Sequence, residues 1–271
     1  MNENNPVPPP IPTTEAAEKS AWKNSEASLP PPPLRGPRPL GEDPSECVAI
    51  TNVVAAIDAI LRHPRRVMFQ IHQPGAGKLI MLLLLVSVVC SLVYGVVVGT
   101  FSGGEQLWVA PTKIALGLMV SALICLPSLY IFACLSGSQA RLVEICGLLA
   151  GLVMLMTILL IGFAPVAWIF SQSSESVVWM GTLHLIFWFI ATFFGLRFLE
   201  AGFSLSQARS HAGFNTWVVI FLLVSVQMTT ALRPIIGRAD TFLPRDKQFF
   251  LSHWADCRKM SDGAGKIRGG N

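Results

Sequence analysis

Charge is scarce in this sequence. Only 13% of its 271 residues are Asp, Glu, Lys or Arg, against 52% hydrophobic, whereas a soluble domain carries roughly 25% charged residues. With a mean hydropathy of +0.55, the composition points away from a water-soluble fold and toward a polytopic, all-α membrane protein. A net charge of +4 over this length is too small to argue for nucleic acid as a partner. Its sign matters through where the bases sit around the apolar segments. Paired cysteines are missing as well. The six (Cys47, Cys90, Cys125, Cys134, Cys146, Cys257) contain no C-x-x-C, and four lie inside apolar runs. That pattern points away from a disulfide framework or thiolate metal site and toward small packing residues.

Catalytic signatures are also absent. The sequence has no H-E-x-x-H, G-x-S-x-G or paired-Asp motif, and no carboxylate falls deep within an apolar segment, where a membrane enzyme or pump keeps its expensive ionisable groups. The expectation is a non-enzyme with no catalytic residue, no cofactor and no metal. His184 lies about a third of the way into an apolar segment, and a lone His there is more often a hydrogen-bonded packing residue than a ligand. Gly75-Ala76-Gly77-Lys78 looks like the tail of a phosphate-binding loop, but His72 stands where the first Gly belongs and Leu79 where the Ser/Thr belongs. About twenty uncharged residues follow, the length of a membrane span. The expectation is a turn before a span.

Five apolar segments, at about 79–100, 110–135, 142–168, 177–202 and 214–236, are each long enough to cross a hydrocarbon core of about 30 Å. Short connections predict one antiparallel bundle of about five transmembrane helices. The implied organisation is a polar tail over 1–46, an amphipathic and basic segment over 47–76, a transmembrane domain over 77–237 and a polar, basic tail over 238–271. Arg62, Arg65, Arg66, Lys78, Arg141, Arg197 and Arg209 fall on one side of the bundle, and Lys113 is the one base in the short loops opposite. Bases cluster on the cytoplasmic side, so the N-terminus is expected inside. Trp108, Trp168 and Trp179 collect at the outer ends, as an interfacial belt does. Five spans put the C-terminal tail outside despite its Arg233, Arg238, Arg245 and Lys247. The polar opening predicts that the first span acts as an uncleaved signal anchor.

The tail contains Pro8-Pro9-Pro10 and Pro30-Pro31-Pro32-Pro33. It has too little apolar surface to offset its ordering entropy, and disorder with polyproline II character is expected. Pro30, Pro33 and Arg35 fit P-x-x-P-x-R, a pattern read by aromatic-lined grooves of cytoplasmic partners, although a plain solvated tail is the commoner reading. Val53, Ile57, Ile60 and Leu61 then recur at helical spacing, with Asp58 and Arg62 off the stripe. This amphipathic helix ends at Pro64. An interfacial position is expected, with Arg62, Arg65 and Arg66 toward anionic lipid head groups.

Two charge pairs sit at span ends, Arg141 with Glu144 and Arg197 with Glu200, each at i, i+3. The plain reading is snorkelling to the head groups, and the sharper one is a clasp between spans three and four in which Glu144 meets Arg197. Gly95/Gly99 and Gly147/Gly151 each match G-x-x-x-G, which lets helices approach closely. Pro127 should kink span two and free one carbonyl for a neighbouring hydroxyl. Ser225, Gln227, Thr229 and Thr230 make span five polar enough to be expected to face other helices.

The proline-rich N-tail, the five spans, Ala110-Pro111-Thr112-Lys113 at the start of span two, Leu126-Pro127-Ser128-Leu129-Tyr130 within it and Ala231-Leu232-Arg233-Pro234 after span five together resemble the bacterial branch of the Yip-type (Ypt-interacting protein) membrane family. The resemblance covers about residues 60–240 through short motifs. It implies a non-enzymatic scaffold that recruits a cytoplasmic partner in the bacterial inner membrane, and it carries architecture further than role. A small-solute transporter or channel component is the alternative, using the polar faces of spans two and five. Five spans without two similar halves do not fit the paired repeats of many transporters.

Overall fold

The computed structural model describes residues 39–102, 104, 106–173, 177–205 and 212–231. They form seven helices and no strand: α1 (Val53–Arg62), α2 (Pro64–Ile71), α3 (Ala76–Ser102), α4 (Gln106–Leu135), α5 (Leu142–Ser173), α6 (Val177–Leu205) and α7 (Ala212–Ala231). Helices α3 to α6 are long and apolar enough to cross a membrane. The 20 residues of α7 extend about 30 Å at 1.5 Å per residue, but its apolar stretch, Gly213–Met228, is shorter than those four. Residues 232–236 of the expected fifth span lie outside the described residues, as do 1–38, Arg209, Arg233 and the tail from 238.

The start of the bundle departs from expectation. Residues 39–46, assigned above to the tail, are turns of the folded unit, with Glu46 buried. The amphipathic stretch is two helices. Asn52 caps α1, its side-chain oxygen accepting the Ala55 N–H at 2.7 Å. Pro64, which has no N–H to continue α1, serves as the first residue of α2. The buried face of α1 is Ala56, Ala59 and Ile60, while Val53 and Leu61, expected on it, are exposed. The alanines allow α1 to approach α3 and α5 closely. In α2, Val67, Met68 and Ile71 are fully buried. The pair is therefore part of the bundle core and not only a surface attachment. The turn into α3 carries Gly75 at φ 93°, in the left-handed region that favours glycine. Lys78 is exposed on the first turn of α3. Helices flank Gly75-Ala76-Gly77-Lys78 on both sides, without the strand a phosphate-binding loop follows.

The long helices form a row in the order α7, α4, α3, α5, α6, with an additional contact between α4 and α5. The α5 span is 67% buried against 28–33% for the others, because α3 and α6 flank it and α1 and α2 cover its first turns. Glycines set the closest approaches. A Cβ on Gly95 would collide with the Pro111 backbone, so α3 and α4 touch main chain to main chain there. Gly147 seats the Ile71 side chain of α2 and Gly151 seats the Phe198 ring of α6. The second G-x-x-x-G therefore serves two neighbours. Gly195 and Gly202, seven residues apart on α6, receive Leu152, Met156 and Leu148 of α5. That spacing was visible in the sequence. Gly99 is buried on α3.

Candidate functional site

Glu144 is one of two buried carboxylates at the α1/α2 end of the bundle, Glu46 being the other. It occupies the third position of α5, and its Oε2 accepts the Arg141 N–H at 3.1 Å, the reach-back half of a capping box. Its Oε1 lies 3.2 Å from Arg141 Nε, and His72 Nε2 stands 3.9 Å from Oε2. His72 comes from the α2–α3 turn, where its Nδ1 is 2.7 Å from Met68 O. Arg197 and Glu200 form a separate, exposed pair 3.9 Å apart on α6, with the Arg197 guanidinium over the Phe193 ring at 5.8 Å. The four expected charges are thus two independent groups, and the Glu144–Arg197 clasp is not formed. Arg197 and Glu200 share one face of α6 at i, i+3, and Glu144 is engaged by Arg141 at the start of its own helix and by His72, so neither Glu144 nor Arg197 needs the other.

The arginines expected at the lipid surface divide in the same way. Arg62 is exposed and 3.5 Å from Asp58. Arg65 and Arg66 turn back onto the chain before α1. Arg65 donates to the Glu46 carboxylate and to Pro39 O at 3.1 Å. Arg66 donates to Val48 O at 2.7 Å and Ala49 O at 3.0 Å, and Gln70 Oε1 accepts the Ile50 N–H at 3.0 Å. Residues 39–50 are therefore strapped to α2. At the start of the strap, the Gly41 N–H donates to Glu46 Oε2 at 2.7 Å.

Arg65, and then the Gly41 amide, hold the Glu46 carboxyl below its ordinary value. A carboxyl lowered on folding adds stability that is complete above the unfolded value, about 4.3, and is lost as pH falls through the folded value. The expected outcome is that parent and Glu46→Gln differ in thermal midpoint by a constant amount at neutral pH, and that the difference shrinks below about pH 4.3. A difference that does not change between pH 7 and pH 3 refutes the link.

The opposite end holds buried polar groups. Tyr94 on α3, Lys113 on α4 and His184 on α6 each lie about two turns from the terminus of their helix at that end. Lys113, expected in a loop, is wholly buried inside α4. The Tyr94 hydroxyl and His184 Nδ1 are 2.7 Å apart, and the His184 and Phe187 rings lie nearly perpendicular with centroids 6.5 Å apart. His184 Nε2 is buried without a hydrogen-bond partner among the described residues. Such an unpaired group costs about 1–3 kcal/mol. Sequence reading placed His184 in a span, but the Tyr94 partner ninety residues away has no local signal.

Around Pro127 the donors gather at Cys125 O, which accepts Ser128 Oγ at 2.8 Å and Trp217 Nε1 of α7 at 3.0 Å. The carbonyl that Pro127 leaves without its helical N–H is that of Leu123, so the bonds at Cys125 O are not the hydroxyl partner expected above, and the indole of another helix was not expected. Of the polar residues of span five, Ser225 is buried but Gln227 faces away from the bundle. The side chains of Thr229 and Thr230 lie outside the description. Among the described residues, no group of three or more His, Cys, Asp or Glu is placed to hold a metal ion. The chain matches no family model, no curated protein and no solved structure.

With Glu144 and Arg197 apart, a double-mutant cycle should give a coupling near zero. Glu144→Gln is expected to cost about 1–3 kcal/mol through its buried partners, and Arg197→Gln under about 0.5 kcal/mol. Detergent thermal unfolding of the two singles and the double checks this. A coupling above about 1 kcal/mol would bring the clasp back.

Proposed function

We propose that this chain is a non-enzymatic membrane scaffold of the kind the Yip-type resemblance implies. In this reading it lies in a bacterial inner membrane with the α1/α2 end and the N-terminus cytoplasmic, and with α7 as a fifth span. The main support is how four of the bundle's buried hydroxyls are used, the buried Thr192 and Ser225 hydroxyls having no hydrogen-bond partner among the described residues. Ser87, Ser91, Ser121 and Thr157 are buried, and each donates to a carbonyl of its own helix, three or four residues back. Polar groups satisfied in this way favour packing over a solute path. Withdrawal of Lys113 into α4 supports the orientation, since it removes the one base expected in the short outer loops. The strap over 39–50 gives the tail a firm base from which to present a partner-binding segment, and Val53, Val54 and Leu61 remain exposed beside it for lipid.

The transporter alternative has one observation in its favour, the buried Tyr94, Lys113 and His184 at a common level. Vesicles reconstituted with the full chain separate the two readings. The scaffold predicts permeability to ions and small solutes equal to that of protein-free vesicles. It also predicts a cytoplasmic protein that binds membranes carrying the full chain and not membranes carrying a chain from Pro39 onward. A saturable flux lowered by Tyr94→Phe or His184→Ala would overturn the scaffold reading.

A further inference from the structure

Helix α7 stands at the edge of the row and buries one stripe, Trp217, Phe221 and Ser225, against α4. Asn215, Val219, Leu223 and Gln227 are exposed at every fourth residue, which places them on the opposite side of the helix. Gln227 lies fifteen residues beyond Ala212, about 22 Å along the axis. With α7 crossing the membrane, as in the reading above on which this inference rests, that position falls within the apolar stretch Gly213–Met228, about 6 Å before the described end of the helix. There a primary amide finds little water to bond, and the Gln227 side chain makes no hydrogen bond among the described residues.

We propose that this ridge is a self-association face, on which α7 of a second copy of this chain docks with Gln227 paired to its own counterpart. The amide is both donor and acceptor. Two copies inserted in the same orientation and related by a two-fold axis along the membrane normal bring identical residues opposite each other, so each Gln227 donates to and accepts from the other. The i, i+4 spacing of the ridge suits helices that cross right-handed, with Val219 and Leu223 forming the apolar contact between the two polar ends. Lipid leaves the amide unsatisfied, and a second copy supplies both of its partners.

The test is energy transfer between differently labelled full-length copies in vesicles, followed across protein-to-lipid ratios. The parent should associate saturably. Gln227→Leu should raise the ratio needed for half-association about five- to thirtyfold, as expected for one interhelical hydrogen-bonding pair, while Gln227→Asn, which keeps the amide, should stay within about threefold. Unchanged monomer unfolding of Gln227→Leu confirms that the bundle is intact, as expected for an exposed position. No association of the parent, or superimposable curves for parent and Gln227→Leu, overturns the proposal. If Gln227→Leu strengthens association, the ridge lies in water and α7 as a span fails. If association appears only in a chain cut after Ala231, the ridge is covered by this chain's own C-terminal segment and the proposal also falls.

Discussion

Replacing Trp217 by alanine should destabilise the bundle by about 3–5 kcal/mol, the range for a large aromatic removed from a packed interior. Trp217 is completely buried, stacks on Phe221 with ring centroids 5.2 Å apart, and donates its indole N–H to Cys125 O. It is the main fastening of α7 to α4. Trp217→Phe keeps most of the ring contact and loses only the donor, so about 0.5–1.5 kcal/mol is expected. Denaturant unfolding in mixed micelles measures both. If Trp217→Ala falls within about 1 kcal/mol of the parent, α7 is not docked on α4 as described.

The second large effect is at Gly95, and it has an internal control of opposite sign. Any Cβ at Gly95 lands on the Pro111 main chain, which cannot rotate away as a side chain can. Helices α3 and α4 must separate, and Gly95→Ala should cost about 1–3 kcal/mol, with Gly95→Leu worse. Gly162 and Gly181 have nothing within 4 Å of an added Cβ. Alanine there should stabilise by up to about 1 kcal/mol, because the helix gains propensity and the unfolded chain loses freedom. Equal responses at Gly95 and Gly162 would show that α3 and α4 do not meet at Pro111. Gly147→Ala should fall between them, since the Ile71 side chain it meets can change rotamer.

Several elements were legible in the sequence for direct physical reasons. Long uncharged runs predicted the helices that became α3 to α6, because only a helix satisfies its own backbone in hydrocarbon. Pro64 marks a helix boundary through chemistry confined to one turn. The i, i+3 spacing of Arg141 with Glu144 and of Arg197 with Glu200 gave the ion pairs that form. What failed was partner choice across helices. The Glu144–Arg197 clasp joined two span ends on the strength of charge alone. Arg65 and Arg66 were expected at lipid because the groups they hold, Pro39 and Glu46 of the expected tail and Val48 and Ala49 of the amphipathic segment, carry no local signal that they fold back.

Composition and periodicity thus determined that this protein is an apolar helical bundle, and where most of its helices begin and end, since both follow from hydrogen bonding and burial within a few residues of chain. Tertiary structure alone decided that α5 stands between α3 and α6, and that Gly151 receives Phe198. It also decided that Tyr94 meets His184 and that Gln227 points away from its own bundle. Apolar runs of nearly uniform hydrophobicity have no preferred side. Which face of each helix meets a neighbour is set by close packing with residues tens of positions away, and hydropathy carries no record of it.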